Sequence, residues 1–282
     1  MSALLPVRTV EKPWGRTALP KWVGGAADAR IGEVWFEPPS ALDSLLVKYI
    51  FTGEKLSVQV HPSDKQTLER GLGRQGKEEC WLVLGAEPGA KLGIGFREQL
   101  DAAALRQAAL DGSIEQRLVW RNVKPGDFFY IPANTVHAIG AGISLIEVQQ
   151  NSDITYRLYD YGRPRELHLD EAVDVAAAVP YADPRHRHVP ERGEYLLVDG
   201  PLFRLLRYDG PLSDKAKANF AEGGCLVVPC SGDARVSAER VIPGQCALVE
   251  ELNKLALSEG ATGLLAQPIP LSSHPAPHAP SG

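Results

Sequence analysis

The chain has 282 residues and a mass of 30.6 kDa, room for one large domain or two small ones. Lysine and arginine number 30 against 35 acidic residues, a formal net charge of -5, which argues against a nucleic-acid-coating protein. No uninterrupted apolar run reaches about 18 residues, so no membrane-spanning helix is expected, and the start MSALLPVRTVEKPWG is too short in apolar residues for a secretory signal. Cys80, Cys225, Cys230 and Cys246 are scattered without metal-knuckle spacing and read as reduced residues of a cytoplasmic protein. Glycine and proline together number 49, a usage that suits many short strands joined by turns and not a helical bundle.

In chain order, IGEVWFEP, LLVKYIF and LSVQVHP (residues 31 to 60) read as strands, each bounded by turn residues such as Pro38-Pro39 or Thr52-Gly53. ECWLVL (79–84) is a further strand. EQLDAAALRQAAL (98–110) is the first helix, stopped by Asp111-Gly112, with a short helical piece at 113–118. Strands return with FFYIP, VHAI and GISLIEVQQ between 126 and 150. Residues 167–178 read as a helix with Asp170 as its cap, and 180–193 as a linker. From 194 onward, EYLLVDG, LFRLLRYDG, GGCLVVPCSG, ARVSAERV, CALVE and TGLLAQ make a second β half. Its GGCLVVPCSGDA weakly echoes PGDFFYIPANTVHA of the first half but lacks the histidine. The tail PIPLSSHPAPHAPSG is of low complexity and is expected to be disordered.

Metal-competent side chains gather at three places. Residues two apart on a strand share a face, so Gln59 and His61 reach one centre. Glu79 opens the ECWLVL strand, and His137 follows the turn after FFYIP. Two imidazoles, one carboxylate and one amide oxygen suit zinc, with iron, manganese and cobalt left open by ligand type alone. Lys77 and Glu79 share a face if the stretch is extended, with Glu78 turned the other way. Glu147 lies between Ile146 and Val148 in a core strand, where an unpaired carboxylate is costly, so it faces the cavity or a cation such as Lys77 or Arg157. No GxGxxG or GxxxxGK[ST] occurs, so no nucleotide cofactor is expected.

Glycine 53, Gln59-x-His61, the later glutamate and Gly126-x5-Pro132-x4-His137 together resemble the two metal motifs of the cupin barrels. KPWG (12–15), LSVQVHPSD (56–64), GKEECWLVL (76–84), YIPANTVHAIGAG (130–142) and ISLIEVQQNSDITYRLYDYGR (143–163) resemble the type I phosphomannose isomerases in their short bacterial form. The resemblance is strong over about 10 to 170. It implies an all-β-dominated chain of two cupin-like, jelly-roll barrels with a few short helices, the second barrel without metal ligands. The domains are then a catalytic metal-binding half at 1–180, a linker at 181–193, a second half at 194–267 and a tail at 268–282.

The resemblance further implies a zinc site of Gln59, His61, Glu79 and His137, one ion per chain, with Lys77, Glu147 and Arg157 around a phosphorylated hexose. The implied reaction interconverts mannose 6-phosphate and fructose 6-phosphate through a cis-enediol, with Glu147 as the first choice of base and Asp153 as the second. A single anionic ligand leaves a dication with net positive charge, which suits charge building on the sugar oxygens. Two other readings share the barrel: an iron-dependent cupin oxygenase and a non-catalytic sugar-binding cupin. Nothing marks a symmetric apolar patch, so a monomer is expected, without nucleic-acid or membrane partners. His168, beside acidic residues near a helix start, is expected to face solvent or to pack locally.

Overall fold

The computed structural model describes residues 3–23 and 28–269. Two units are resolved by their contacts, the larger formed by Pro6–Glu37 with Leu46–Glu191. Its strands are β1 (Val7–Arg16), β2 (Ile31–Phe36), β3 (Leu45–Phe51), β4 (Val58–Val60), β5 (Glu79–Ala86) and β6 (Lys91–Phe96). They continue with β7 (Leu118–Asn122), β8 (Asp127–Ile131), β9 (His137–Ile139), β10 (Ile143–Gln150), β11 (Tyr156–Tyr159) and β12 (Arg187–His188). The helices are short: α1 (Asp64–Glu69), α2 (Ala102–Asp111), α3 (Ile114–Arg117) and α4 (Leu169–Val175).

One sheet has the order β1-β2-β3-β10-β5-β8-β12 and the other β11-β4-β9-β6-β7. Alternation along each strand turns one set of side chains inward, so the sheets close on a shared core. Trp14, Ile50, Trp81, Val83, Phe129, Ile131 and Leu145 from the first sheet meet Leu92, Ile94 and Ile139 from the second. The second sheet buries its other face under the helices, where Val58, Val60, Ala138 and Leu158 pack with Leu105, Ala109, Ile114 and Val175. This is the mostly β architecture with short helices that the sequence led one to expect.

The smaller unit gathers residues 3–5, Pro38–Leu45 and residues 192–269. Its strands are β13 (Tyr195–Asp199), β14 (Phe203–Asp209), β15 (Cys225–Ser231), β16 (Ala234–Val236), β17 (Glu239–Val241), β18 (Ala247–Val249), β19 (Leu255–Leu257) and β20 (Thr262–Pro268). They form sheets ordered β13-β14-β20-β15-β18 and β17-β16-β19, with α5 (Asp214–Asn219) lending Ala216 and Phe220 to the core. Among the described residues, the clustered metal-competent side chains all lie in the larger unit, and no helix is long and apolar enough to cross a membrane. The expected disordered tail falls outside the described residues from position 270 on.

Several local expectations need correction. Helix α2 begins at Ala102, not at 98, because the Asp101 side chain accepts the Ala104 N–H at 2.8 Å and caps it there. Helix α4 starts at Leu169 with His168 at its cap position, and Asp170 lies inside the first turn, where a carboxylate favours the helix N-terminus. The stretch expected as a linker is packed: β12 pairs with β8, and Val189 is buried. Helix α1 was not anticipated, although Ser63-x-x-Gln66 forms a complete capping box. Arg16, at the end of β1, donates from Nε to the Thr52 carbonyl at 2.8 Å and pairs with Glu87.

Thr52 joins β3 to the turn before β10. Its fully buried hydroxyl donates to the Gly140 carbonyl at 2.7 Å and accepts the Ile143 N–H at 2.9 Å. Thr52→Val leaves both groups unpaired in the core and is expected to cost about 1–3 kcal/mol in urea unfolding; an unchanged midpoint would contradict this role.

Candidate metal centre

The period of two places the donors. Gln59 on β4 stands opposite His137 on β9, and Glu79 on β5 stands between Ile131 of β8 and Gln149 of β10. Asn134, held at φ 70, turns the chain between β8 and β9; its N–H donates to the His61 carbonyl at 2.8 Å. The Asn134 amide also reaches Gln66 of the α1 capping box at 2.6 Å, tying the turn that delivers His137 to the segment that follows His61.

His61, Glu79 and His137 offer ligand atoms that lie within 4.8 Å of one another. Exposure is 1% for His61 and 0% for the other two. Nδ1 of His61 faces the Ile154 carbonyl at 2.9 Å, and Nδ1 of His137 faces the Thr135 carbonyl at 2.9 Å. A carbonyl only accepts, so each Nδ1 carries the proton and each Nε2 presents a lone pair. The His137 Nε2 lies 3.2 Å from Glu79 Oε1 and 3.2 Å from the Gln59 amide nitrogen. Half a turn of that amide presents its oxygen to the same point.

Burial holds both imidazoles below their ordinary pKa, and the Lys77 ammonium depresses His61 further, so both are neutral ligands at neutral pH. Burial would raise the Glu79 carboxyl, but the Lys77 ammonium beside it outweighs this and keeps it ionised. Lys77 Nζ stands 2.7 Å from Glu79 Oε2 and 3.0 Å from His61 Nε2. Even so, neither Glu79 oxygen receives a hydrogen bond of good geometry. Orphaned carboxylate oxygens converging with two Nε2 lone pairs are what a cation requires, so the residues fit a zinc ion.

Beside this cluster a cavity of about 300 Å³ is lined by Gln59 and Lys77, together with Glu147, Asp153 and Arg157. The structure thus brings every anticipated side chain to one place: His61, Glu79 and His137 fully buried, the other five on the cavity wall. Asp153 is exposed, in the loop before β11. Arg157 sits opposite Gln59 in register and donates to the Glu166 carbonyl at 2.6 Å, while its buried Nε has no partner. His168 packs locally, its Nδ1 accepting the Arg157 N–H at 3.2 Å.

The cation facing Glu147 is neither Lys77 nor Arg157. Lys48 of β3 pairs with it at 2.8 Å, and the Trp81 indole N–H donates to its other oxygen at 2.8 Å. Burial alone would lower the Lys48 pKa, but Glu147 and Glu33 overcome it and raise it. Trp81 is fully buried in the core and also packs edge-on against His137 at 5.3 Å. The cavity also gathers Lys12, Glu33, Trp35 and Arg165, which the sequence reading missed. Lys48 carried a usable signal, a lone lysine inside the apolar run LLVKYIF, which must find a buried acid.

Fold and donor set define a cupin-type protein with a buried metal centre. A mannose-6-phosphate isomerase of Streptococcus mutans is 35% identical over 213 residues, 73% of this chain and 66% of that protein's own length. The crystal structure of the mannose 6-phosphate isomerase of Bacillus subtilis superposes with a TM-score of 0.77, covering 95% of this chain and 100% of that one at 24% identity. A zinc-bound mannose 6-phosphate isomerase superposes at 0.68, covering 94% of this chain and 98% of that one at 14% identity. No family model matches the chain. The chain belongs to the type I phosphomannose isomerase family.

Removing one partner of a buried ion pair strands the other charge. Lys48→Met is therefore expected to destabilise the protein by about 3–5 kcal/mol, with much of the loss recovered in Lys48→Met/Glu147→Met. Denaturant titration of the single and double variants checks this, and additive losses would show that the pair is not coupled.

Proposed function

We propose that this protein interconverts mannose 6-phosphate and fructose 6-phosphate, using one zinc ion held by Gln59, His61, Glu79 and His137. The observation that carries the reading is the buried His61-Glu79-His137 cluster beside a cavity where five cations face three carboxylates. Lys12, Lys48, Lys77, Arg157 and Arg165 exceed Glu33, Glu147 and Asp153, a balance suited to a phosphorylated sugar. Family membership favours this reading over an iron oxygenase or a non-catalytic sugar-binding barrel. The neighbour whose structure holds zinc supports the choice of ion.

When bound, the ion supplies positive charge that stabilises an enediolate-like sugar. Glu147 moves the proton between C1 and C2, with Lys48 and Trp81 fixing its carboxylate at the wall; Asp153, at the exposed edge, is the second choice for this role. Lys77, which reaches from the donor cluster to the cavity, donates to the sugar oxygens as the proton leaves. Arg157, with a free buried Nε, binds the phosphate or an enediolate oxygen, since its fork offers paired donors. The catalytic unit is then the larger unit, and the working protein a cytoplasmic monomer, a state that light scattering at several concentrations tests.

Two experiments decide the reading. In a coupled isomerase assay, kcat/KM for mannose 6-phosphate is expected to exceed that for free mannose by about 100-fold or more, given charge-assisted contacts of roughly 1.5–3 kcal/mol each. Comparable efficiency on both sugars would defeat the role given to the cations. Separately, dialysed His137→Ala is expected to lose most of its zinc and its turnover, while His168→Ala retains the zinc. Equal metal content in the two folded variants would overturn the ligand set.

A further inference from the structure

Behind the segment that carries Lys77 and leads into β5 at Glu79 lies a second cluster of polar side chains that the reaction does not use. Glu78 points away from the cavity, and its carboxylate accepts the Tyr130 hydroxyl. Tyr130 lies on β8, between Phe129 and Ile131 of the inner core, so its own side chain is turned to the outer face. The Arg185 guanidinium covers the Tyr130 ring at 3.4 Å and is held by Asp183, with Nε at 2.8 Å from its carboxylate. Tyr181, from the same packed stretch, donates its hydroxyl to the Tyr130 carbonyl at 2.7 Å.

Glu78 is fixed through its backbone as well. Its N–H donates to the Gln150 side chain at 2.9 Å, and its carbonyl accepts the Gln150 N–H at 3.0 Å. The Gln150 amide continues to Asp64 at 2.8 Å, and Asp64 accepts the Gly76 N–H at 2.7 Å. Gly76 and Glu78 are therefore both held, one on each side of Lys77.

We propose that Arg185, Tyr130 and Glu78 are positioning residues that set the pitch of this strand end, and through it the placement of Glu79 and Lys77 at the metal centre. A hold on Glu78 from one face orients the peptide planes on either side of it, and these planes aim the two neighbouring side chains at the other face. The proposal rests on Glu79 being a metal ligand, as argued above. It gives the segment 181–189 a task in the larger unit beyond connection.

Tyr130→Phe removes only the hydroxyl and keeps the ring under Arg185. Zinc affinity, measured by competition with a chromogenic chelator, is expected to weaken about tenfold. Turnover should fall while KM for mannose 6-phosphate stays within about twofold, and the thermal midpoint of the metal-free protein should stay unchanged. Glu78→Gln keeps an acceptor for the hydroxyl and should restore affinity relative to Glu78→Ala. Should Tyr130→Phe fold poorly, Arg185→Met loosens the same hold from the surface and is read in the same way. Wild-type zinc affinity in the variant, or a lower thermal midpoint with zinc affinity intact, would overturn the proposal. A wild-type protein that binds zinc but does not isomerise would refute the proposed function alone, because the affinity comparison judges the positioning role without turnover.

Discussion

The burial of one carboxylate governs this structure. Glu79 is wholly removed from water, and an ionised group in that position survives only among charges and lone pairs that compensate it. Lys77 supplies the charge at 2.7 Å, while the two imidazoles contribute neutral nitrogen atoms whose protons are already committed to backbone carbonyls. Each of these partners comes from a different strand or strand end. The sheets must therefore hold their register closely, since a slip of one residue would turn Glu79 outward and Glu78 inward.

The same logic of alternating charge extends across the cavity wall. Lys48 stands against Glu147, Glu33 is held by Lys12 at 3.3 Å, and the Trp35 indole donates to Glu33 at 2.7 Å. Burial would raise the Glu33 carboxyl, but Lys48 and Lys12 together bring it below the usual range. Such a lattice of paired charges gives a polar cavity in the midst of an apolar sandwich without leaving isolated ions in it. It also fixes rotamers, because moving any one member exposes its partner to a low-dielectric surround. Preorganisation of this kind is what a reaction that develops charge on small oxygens benefits from.

Much of the metal centre was legible because its signals are local. Gln59-x-His61 and Lys77-x-Glu79 are period-two pairs, and the Pro-Ala-Asn-Thr bend before His137 is a turn by its residue types alone. Glu78 facing away from Lys77 and Glu79 followed from the same alternation and is what the structure shows. What could not be read locally was partnership across sequence. Lys48 meets Glu147 only because β3 and β10 are neighbours in the sheet, an adjacency that no pattern within either strand encodes. Strands β1, β6, β7 and β11 escaped notice for a related reason: glycine, proline or charged residues interrupt them, and pairing with better strands carries them. The start of α2 was misplaced because 98–101 share the composition of a helix, and only the cap at Asp101 settles the boundary.

The division of the chain also bears on how it could ever be taken apart. The path passes from the smaller unit to the larger after Leu5, back at Pro38, over again at Leu46, and back once more at Arg192. The smaller unit is thus assembled from three separate lengths of chain, and no single cut frees it intact. A fragment beginning at Arg192 lacks pieces that its own fold recruits from the N-terminal region, residues 3–5 and Pro38–Leu45. The smaller unit is consequently a poor candidate for shuffling between genes as a self-sufficient module.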